Sequence, residues 1–100
     1  AETRRKGEIV SKYLDENLPR INPKLTHRGR GLINGIDFAP FPAGSAKAAS
    51  AECFKRNLVI ELAGREDCVL KLMPPLTIED DKLLRGLDII MEAIRALNLK

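Results

Sequence analysis

The sequence has few of the residues that build metal centres and nucleophilic active sites. Its 100 residues include one histidine, two cysteines and no tryptophan. Cys53 and Cys68 do not form a Cys-x-x-Cys pair, and with the single histidine His27 they predict no set of metal ligands. His27 has no serine or cysteine in a recognisable nucleophile motif nearby, which argues against catalysis by this residue. We expect both cysteines to be free thiols in a reducing cytoplasm.

Long apolar runs and blocks of like charge are also absent. No apolar run approaches the roughly 20 residues that a membrane helix needs, and 17 basic residues are mixed with 14 acidic ones. Aromatic residues make up only 4% of the chain, too few for a surface that stacks bases. Arg28-Gly29-Arg30-Gly31 precedes a predicted strand rather than a helix, so we interpret it as a structural turn and not as a phosphate loop. We therefore expect a cytoplasmic protein that binds neither nucleic acid nor membranes.

The chain has the length of one domain and contains both helical and strand patterns. Apolar spacing predicts a first helix from Glu2 to Leu18, ended by Pro19, and the sequence predicts later helices capped by Ser45 and Thr77. Four short strands are predicted at residues 25–28, 32–38, 58–62 and 68–73. The expected fold class is α+β: a single domain with a three- to four-stranded, mostly antiparallel sheet and helices mainly on one face.

Spacing and composition also predict details of the packing. Gly29 and Gly31 flank Arg30 in a predicted tight turn, and Gly35 marks a bulge or a close backbone approach. The predicted inner face of the middle helix consists of Ala46, Ala49, Ser50, Cys53 and Phe54. The last helix has the largest predicted core-facing stripe, formed by Leu83, Leu87, Ile90, Ile94 and Leu97 and widened by Leu84 and Met91.

The last two strands are predicted to form a hairpin with one buried face. If Leu62 lies opposite Leu70 on that face, Glu61 lies opposite Lys71 on the other face, because pairing conserves sidedness. Lys71 then has two interpretations. It is either a cross-strand partner of Glu61 or an ammonium at the rim of a cleft with another domain, where it attracts a substrate carboxylate.

Three blocks of the sequence form a recognisable set with a characteristic spacing. The blocks are Arg28-Gly29-Arg30-Gly31-Leu32-Ile33-Asn34-Gly35-Ile36, Leu58-Val59-Ile60-Glu61 and Lys71-Leu72-Met73-Pro74-Pro75-Leu76-Thr77-Ile78. Together they resemble the C-terminal part of class III, pyridoxal-phosphate-dependent aminotransferases, and the resemblance covers essentially the whole chain. Within that family, the segment from Ile60 to Gly64 and the Pro-Pro block are most similar to the diaminobutyrate–2-oxoglutarate branch.

The resemblance implies that residues 1–100 are the C-terminal small domain of a fold-type I transaminase. Its missing large domain would carry the Schiff-base lysine and the acid that partners the pyridine nitrogen, in a homodimer. The implied reaction moves an amino group from diaminobutyrate to 2-oxoglutarate. Pyridoxal 5′-phosphate is expected in the full-length enzyme and not on this fragment. No lysine here matches the family's cofactor-lysine motif, so no catalytic residue is expected and the isolated chain is predicted to be inactive.

The same resemblance suggests roles for individual residues. The domain is expected to close over the cofactor site, with the loop from Ala63 to Asp67 and Lys71 on the substrate side, excluding water. The substrate-side candidates are Lys71, Glu61, Ala63 and Gly64. Structural roles are expected for Arg28, Gly29, Gly31, Gly35, Pro74, Pro75 and Thr77. Many family members have an arginine at the position of Lys71, and a lysine cannot reproduce its two parallel hydrogen bonds to a carboxylate.

Two other classes of function are compatible with the sequence. One is a class III transaminase that acts on ornithine, lysine or 4-aminobutyrate, since these share the architecture. The other is a non-enzymatic module whose mixed sheet face binds a protein or a small ligand. The transaminase hypothesis predicts an exposed face that is apolar enough to need a second domain, whereas the module hypothesis predicts a stable monomer with a wetted face.

Overall fold

Helices and strands follow one another in the predicted order in the computed structural model, which describes residues 2–30, 33–75 and 77–99. The helices are α1 (Glu2–Ile21), α2 (Ser45–Lys55) and α3 (Asp80–Arg95). The strands are β1 (Thr26–Arg30), β2 (Ile33–Asp37), β3 (Glu61–Ala63) and β4 (Val69–Leu72), and a short 3-10 turn at Arg65–Asp67 joins β3 to β4.

The four strands form one antiparallel sheet in the order β1-β2-β4-β3. β1 and β2 form one hairpin, β3 and β4 form a second, and the two hairpins are joined by pairing of β2 with β4. In the second hairpin Leu62 lies opposite Leu70 and Glu61 lies opposite Lys71, as alternation of the side chains predicted. The α+β fold with an antiparallel sheet is therefore confirmed.

The helices cover one face of this sheet. α1 packs on β1 and β2, α2 packs on β4 and β3, and α3 packs against both of these helices. The largest fully buried side chains of the core are Phe38, Leu14, Leu18, Ile36, Leu70, Leu87, Met91 and Ile94. Because successive side chains of a strand point to opposite faces, Lys71 and its odd-numbered neighbours lie on the face without helices.

Pro19 does not end α1 as predicted. The helix continues for two residues beyond it, to Ile21, and the amide of Asn22 still donates to the carbonyl oxygen of Leu18 at 3.0 Å. Proline lacks an amide donor, but its fixed φ is compatible with helix. The loss of one hydrogen bond in the last turn is therefore tolerated where Leu18 is packed in the core.

The predicted caps at Ser45 and Thr77 are both wrong. Ser45 is the first residue of α2, and its hydroxyl donates to the carbonyl oxygen of Pro42 at 2.7 Å instead of accepting from the helix. Thr77 lies in a turn closed by a 3.1 Å hydrogen bond from the Ile78 amide to the Pro75 carbonyl oxygen. α3 consequently begins only at Asp80, two residues later than a Thr77 cap would place its start.

Two local predictions differ from the structure. β1 continues through Gly29 to Arg30, so these residues belong to the strand and not to a tight turn. Gly31 lies outside the described residues. Phe54 is 68% exposed, although the apolar spacing of α2 placed it on the inner face. The buried face of α2 is narrower and consists of Ala46, Ala49 and Cys53.

Candidate functional site

The face of the sheet that carries no helix presents a row of paired residues, three of them charged. Arg28 pairs with Gly35, Gly35 pairs with Lys71, and Lys71 pairs with Glu61, so the row crosses all four strands. Ala63 lies on the same face of β3, opposite Val69. The structure therefore brings three of the predicted substrate-side residues together: Lys71, Glu61 and Ala63.

Lys71 and Glu61 face each other without forming an ion pair. Their Cα atoms are direct cross-strand partners, which was one of the two predicted arrangements. However, within the described part of the chain the Lys71 ammonium has no carboxylate within 4.0 Å, and the ion pairs of the sheet face involve only Arg28 and Asp37, 3.9 Å apart. Lys71 is half-buried and Glu61 is exposed. Both charges are therefore available to a ligand or to another protein surface.

Gly35 separates the two cationic residues of the row and leaves room for the side chain of Val69. A Cβ atom on Gly35 would lie only 2.7 Å from Cγ1 of Val69, a steric clash that would force one of the two groups to move. The pairing of β2 with both neighbours runs through Gly35 without an extra residue, so there is no bulge at this position. The structure instead shows the close approach, in which the Val69 side chain packs over the glycine backbone.

The loop between β3 and β4 adopts an unusual backbone conformation that the sequence did not indicate. Gly64 has a φ of 78°, and the two acidic residues Glu66 and Asp67 have φ values of 56° and 54°. Non-glycine residues rarely adopt such values, which cost of order 1 kcal/mol or more for each residue. Hydrogen bonds from the Asp67 amide to Gly64 and from the Cys68 amide to Arg65 hold the turn at 3.3 and 3.2 Å.

A cleft of about 310 Å³ opens beside Lys71. One wall is the unpaired segment before β3, which includes Val59, and the other walls are Pro74, Pro75 and one side of α3. The lining is apolar except for three charged residues, Glu61, Lys71 and Lys82. Sequence patterns did not reveal this cleft because its walls come from segments that are far apart in the chain.

Residues with predicted structural roles lie around this face and cleft. Pro74 and Pro75 line the cleft, Thr77 is exposed in the turn that follows, and Arg28 is exposed on β1. Gly64 begins the strained loop, next to Val69. The Pro-Pro segment therefore shapes the cleft directly, whereas Thr77 contributes neither a cap nor a cleft wall.

Other titratable groups support the packing of the helices. The ring nitrogens of His27 lie 3.0 Å from Oδ1 of Asn34 and 2.6 Å from Oδ1 of Asp15, so the ring bridges α1 and the sheet. Burial raises the pKa of the Cys53 thiol to about 11, and Cys53 and Cys68 are both free. Burial and a hydrogen bond to Asp88 raise the pKa of Tyr13. Tyr13, His27 and Cys53 lie on the side of the sheet that the helices cover.

Possible ligands for a metal or a cofactor are few among the described residues. No cluster of three metal-ligating side chains occurs among residues 2–30, 33–75 and 77–99. Pyridoxal phosphate requires several donors around its phosphate. The mostly apolar cleft offers two cations, Lys71 and Lys82, together with the carboxylate of Glu61. No buried side-chain nitrogen or oxygen of the described residues is left without a partner. The cleft by itself therefore does not supply the full set of donors that the phosphate requires.

None of the described helices is both long enough and apolar enough to cross a membrane. This agrees with the absence of long apolar runs in the sequence, and α1, the longest helix, carries charged residues along most of its length.

Comparisons with known proteins point to one enzyme family. No family model matches the chain. The diaminobutyrate–2-oxoglutarate transaminase of Wolinella succinogenes is 56% identical over 70 residues, which are 70% of this chain and 16% of that protein. The transaminase of the same name from Bordetella parapertussis is 44% identical over 95 residues, or 93% of this chain and 21% of that protein. The chain thus spans about a fifth of the length of this relative.

Solved structures show the same fold. An acetylornithine aminotransferase from Elizabethkingia anophelis matches with a TM-score of 0.80 and 22% identity over 93% of this chain and 24% of that protein. An aminotransferase from Bacillus anthracis matches with a TM-score of 0.83 and 20% identity over 95% of this chain and 24% of that protein. The aminotransferase resemblance of the sequence blocks is therefore confirmed: over most of its length, this chain is similar to about a fifth of a diaminobutyrate–2-oxoglutarate transaminase.

Proposed function

We propose that this chain is the C-terminal small domain of a pyridoxal-phosphate-dependent diaminobutyrate–2-oxoglutarate transaminase. The observation that carries the proposal is 44% identity over 93% of the chain to a transaminase of that name. The cofactor, which supplies an electron sink for the reaction, would be bound by a large domain outside these residues. The functional enzyme would be a cytoplasmic homodimer.

In this proposal the face without helices is the side that meets the large domain. Lys71, Glu61 and Ala63 lie there together, and the strained loop from Ala63 to Asp67 extends from the same edge of the sheet. Closure of this face over the substrate would exclude water from the reacting atoms. Exposed Val59 and Met73, at 78% and 54%, supply apolar surface for such a contact.

Lys71 would act as a point charge at the rim of the substrate site. Its ammonium has three donors but lacks the planar fork with which arginine binds a carboxylate. Because Lys71 is not occupied by Glu61, it is free to attract the carboxylates of amino and 2-oxo acids. Its contribution would be to orient substrates, and the proton transfers would be carried out by groups of the large domain.

The longer protein that contains this chain tests the proposal through its choice of amino donor. It would be purified with cofactor and assayed for glutamate formation from 2-oxoglutarate with diaminobutyrate, ornithine, lysine, acetylornithine or 4-aminobutyrate. We expect kcat/KM for diaminobutyrate to exceed that for each other donor by about tenfold or more, a difference of about 1.4 kcal/mol in transition-state binding. A preference for ornithine, lysine or 4-aminobutyrate would keep the enzyme class and overturn the substrate. Absence of transamination with every donor would overturn the proposal.

The isolated 100 residues should not transaminate. Without a large domain they offer no cofactor site, so incubation with pyridoxal phosphate and borohydride should leave no stoichiometric label on the chain. Glutamate should not form from diaminobutyrate and 2-oxoglutarate. Labelling of one lysine at one equivalent, together with turnover, would contradict the assignment of the cofactor to another domain.

A further inference from the structure

The first turns of α1 are tied to the segment that links β4 to α3. Both terminal nitrogens of Arg5 donate to the carboxylate of Asp80, at 2.6 and 3.0 Å. The Lys6 ammonium donates to the carbonyl oxygen of Ile78 at 2.6 Å. These contacts join residues more than 70 positions apart in the chain. They define what we call the α1 clamp: Arg5, Lys6, Ile78 and Asp80.

The cations of the α1 clamp cost more free energy than apolar side chains at the same positions would. Lys6 is 5% exposed, and burial of an ammonium is unfavourable unless hydrogen bonds compensate for the lost hydration. Arg5 and Lys6 also lie near the N-terminus of α1, where the helix dipole disfavours cations. An apolar side chain in place of Lys6 would avoid both costs. The contacts with residues 78–80 therefore explain why cations are placed there.

A short segment that contains two prolines connects the α1 clamp to Lys71. Ile78 lies seven positions after Lys71 in the chain. Pro74 and Pro75, whose φ angles are fixed by their rings, occupy the middle of this link. Val10, one helical turn after Lys6, lines the same cleft as Lys71 and Ile78. The beginning of α1 and the end of β4 are thus held together across the cleft.

We infer that Arg5 and Lys6 are positioning residues that fix Lys71 relative to α1. This inference rests on the proposed enzyme, in which α1 follows the large domain directly in the chain. The position of α1 therefore depends on the position of the large domain. The 20 residues of α1 form a rigid rod of about 30 Å. The α1 clamp fastens the Pro-Pro segment to the start of that rod and holds the Lys71 ammonium at the substrate side when the domains close.

A double-mutant cycle in the longer enzyme tests whether Lys6 acts through Lys71. We expect Lys6→Met, which keeps the apolar stem and removes the ammonium, to lower kcat/KM for diaminobutyrate about tenfold, mainly through KM. In the Lys71→Met background, the same substitution should lower kcat/KM less than about twofold. Lys12→Met, at an exposed site on α1, is the matched control and should leave kcat/KM unchanged. An equal loss in both backgrounds, or no loss in either, would overturn the inference.

Amide hydrogen exchange separates this inference from the proposed function. Lys6→Met should speed exchange in residues 71–79 and leave β1 unchanged, and Lys12→Met should change neither. This result supports the mechanical link even if the wild-type enzyme fails to transaminate, in which case only the proposed function is lost. Unchanged exchange in residues 71–79 would overturn the link. If the Lys6→Met variant does not fold, Arg5→Gln replaces it, because the Arg5 side chain is half-exposed and binds Asp80. Arg5→Gln should likewise speed exchange in residues 71–79, and unchanged exchange there would overturn the link.

Discussion

The two faces of the sheet use the same strands for different purposes. On the face under the helices, Ile36 and Leu70 are fully buried and lie side by side in β2 and β4. On the other face, Gly35 and Lys71 form the neighbouring pair of the same two strands. One face contributes burial of apolar surface, and the other presents charge, a glycine and a cleft.

This contrast shows how alternation along a strand separates stability from function. Substitutions on the covered face should change the free energy of unfolding, because they create cavities in a closely packed core. Substitutions on the open face should change what the domain binds, since charged side chains there form few contacts within the chain. The following predictions test how sharply the two faces differ.

The largest effect is expected at Leu70 on the covered face. Leu70→Ala removes a fully buried side chain at the centre of the sheet and should lower the free energy of unfolding by about 2–5 kcal/mol. Val59→Ala, at a side chain that is 78% exposed, is the control and should change it by less than about 0.5 kcal/mol. Urea unfolding followed by circular dichroism measures both. Equal losses of unfolding free energy in the two variants would show that the covered face does not contribute more to stability than the open face.

An intermediate effect is expected where the open face is closely packed. Gly35→Ala should destabilise the fold by about 1–3 kcal/mol, because its Cβ would lie 2.7 Å from Cγ1 of Val69. Adding Val69→Ala should recover part of this loss in a double-mutant cycle. Gly86→Ala is the control: nothing lies within 4 Å of its Cβ, and alanine in a helix interior should stabilise by about 0.5–1 kcal/mol. A neutral Gly35→Ala would contradict the close approach.

A small, pH-dependent effect is expected at the α1 clamp. The hydrogen bonds from Arg5 lower the pKa of Asp80 below its ordinary value of 3.8, so the folded state favours the ionised carboxylate. This stabilisation is present above pH 3.8 and is lost as the pH falls through the lower pKa of the folded state. Asp80→Asn should therefore be less stable than wild type at neutral pH, with a difference that disappears in acid. Urea midpoints at both pH values measure it, with Asp81→Asn as control. If the stability difference between wild type and Asp80→Asn grew in acid, the pKa of Asp80 would not be lowered in the folded state.

Sequence reasoning predicted the features that depend on local periodicity. Leu62 opposite Leu70 and Glu61 opposite Lys71 followed from alternation, because a period of two fixes the side of every residue once one pair is set. Most of the stripe on α3 was predicted for the same kind of reason, and Leu83, Leu87, Ile90 and Ile94 are buried there. The shared open face of Lys71, Glu61 and Ala63 was therefore visible in the sequence.

Features that depend on distant contacts were not visible. α3 begins at Asp80 without a cap from Thr77, and the Asp80 carboxylate accepts hydrogen bonds from Arg5, 75 positions away. Phe54 is exposed because the buried face of α2 is limited to Ala46, Ala49 and Cys53. The cleft beside Lys71 likewise combines segments that no short pattern links. Local spacing carries no information about which distant segment will be packed on it.

The role of Lys71 is the central claim, and half-reaction kinetics of the longer enzyme test it most directly. Lys71→Ala should raise the KM for diaminobutyrate and for 2-oxoglutarate about tenfold each, because the ammonium no longer attracts their carboxylates. The absorbance of the bound cofactor should stay unchanged. Lys47→Ala, at an exposed site on α2, should behave like wild type. If Lys71→Ala leaves the kinetics of both half-reactions unaltered, the open face is not the substrate side and the claim is wrong.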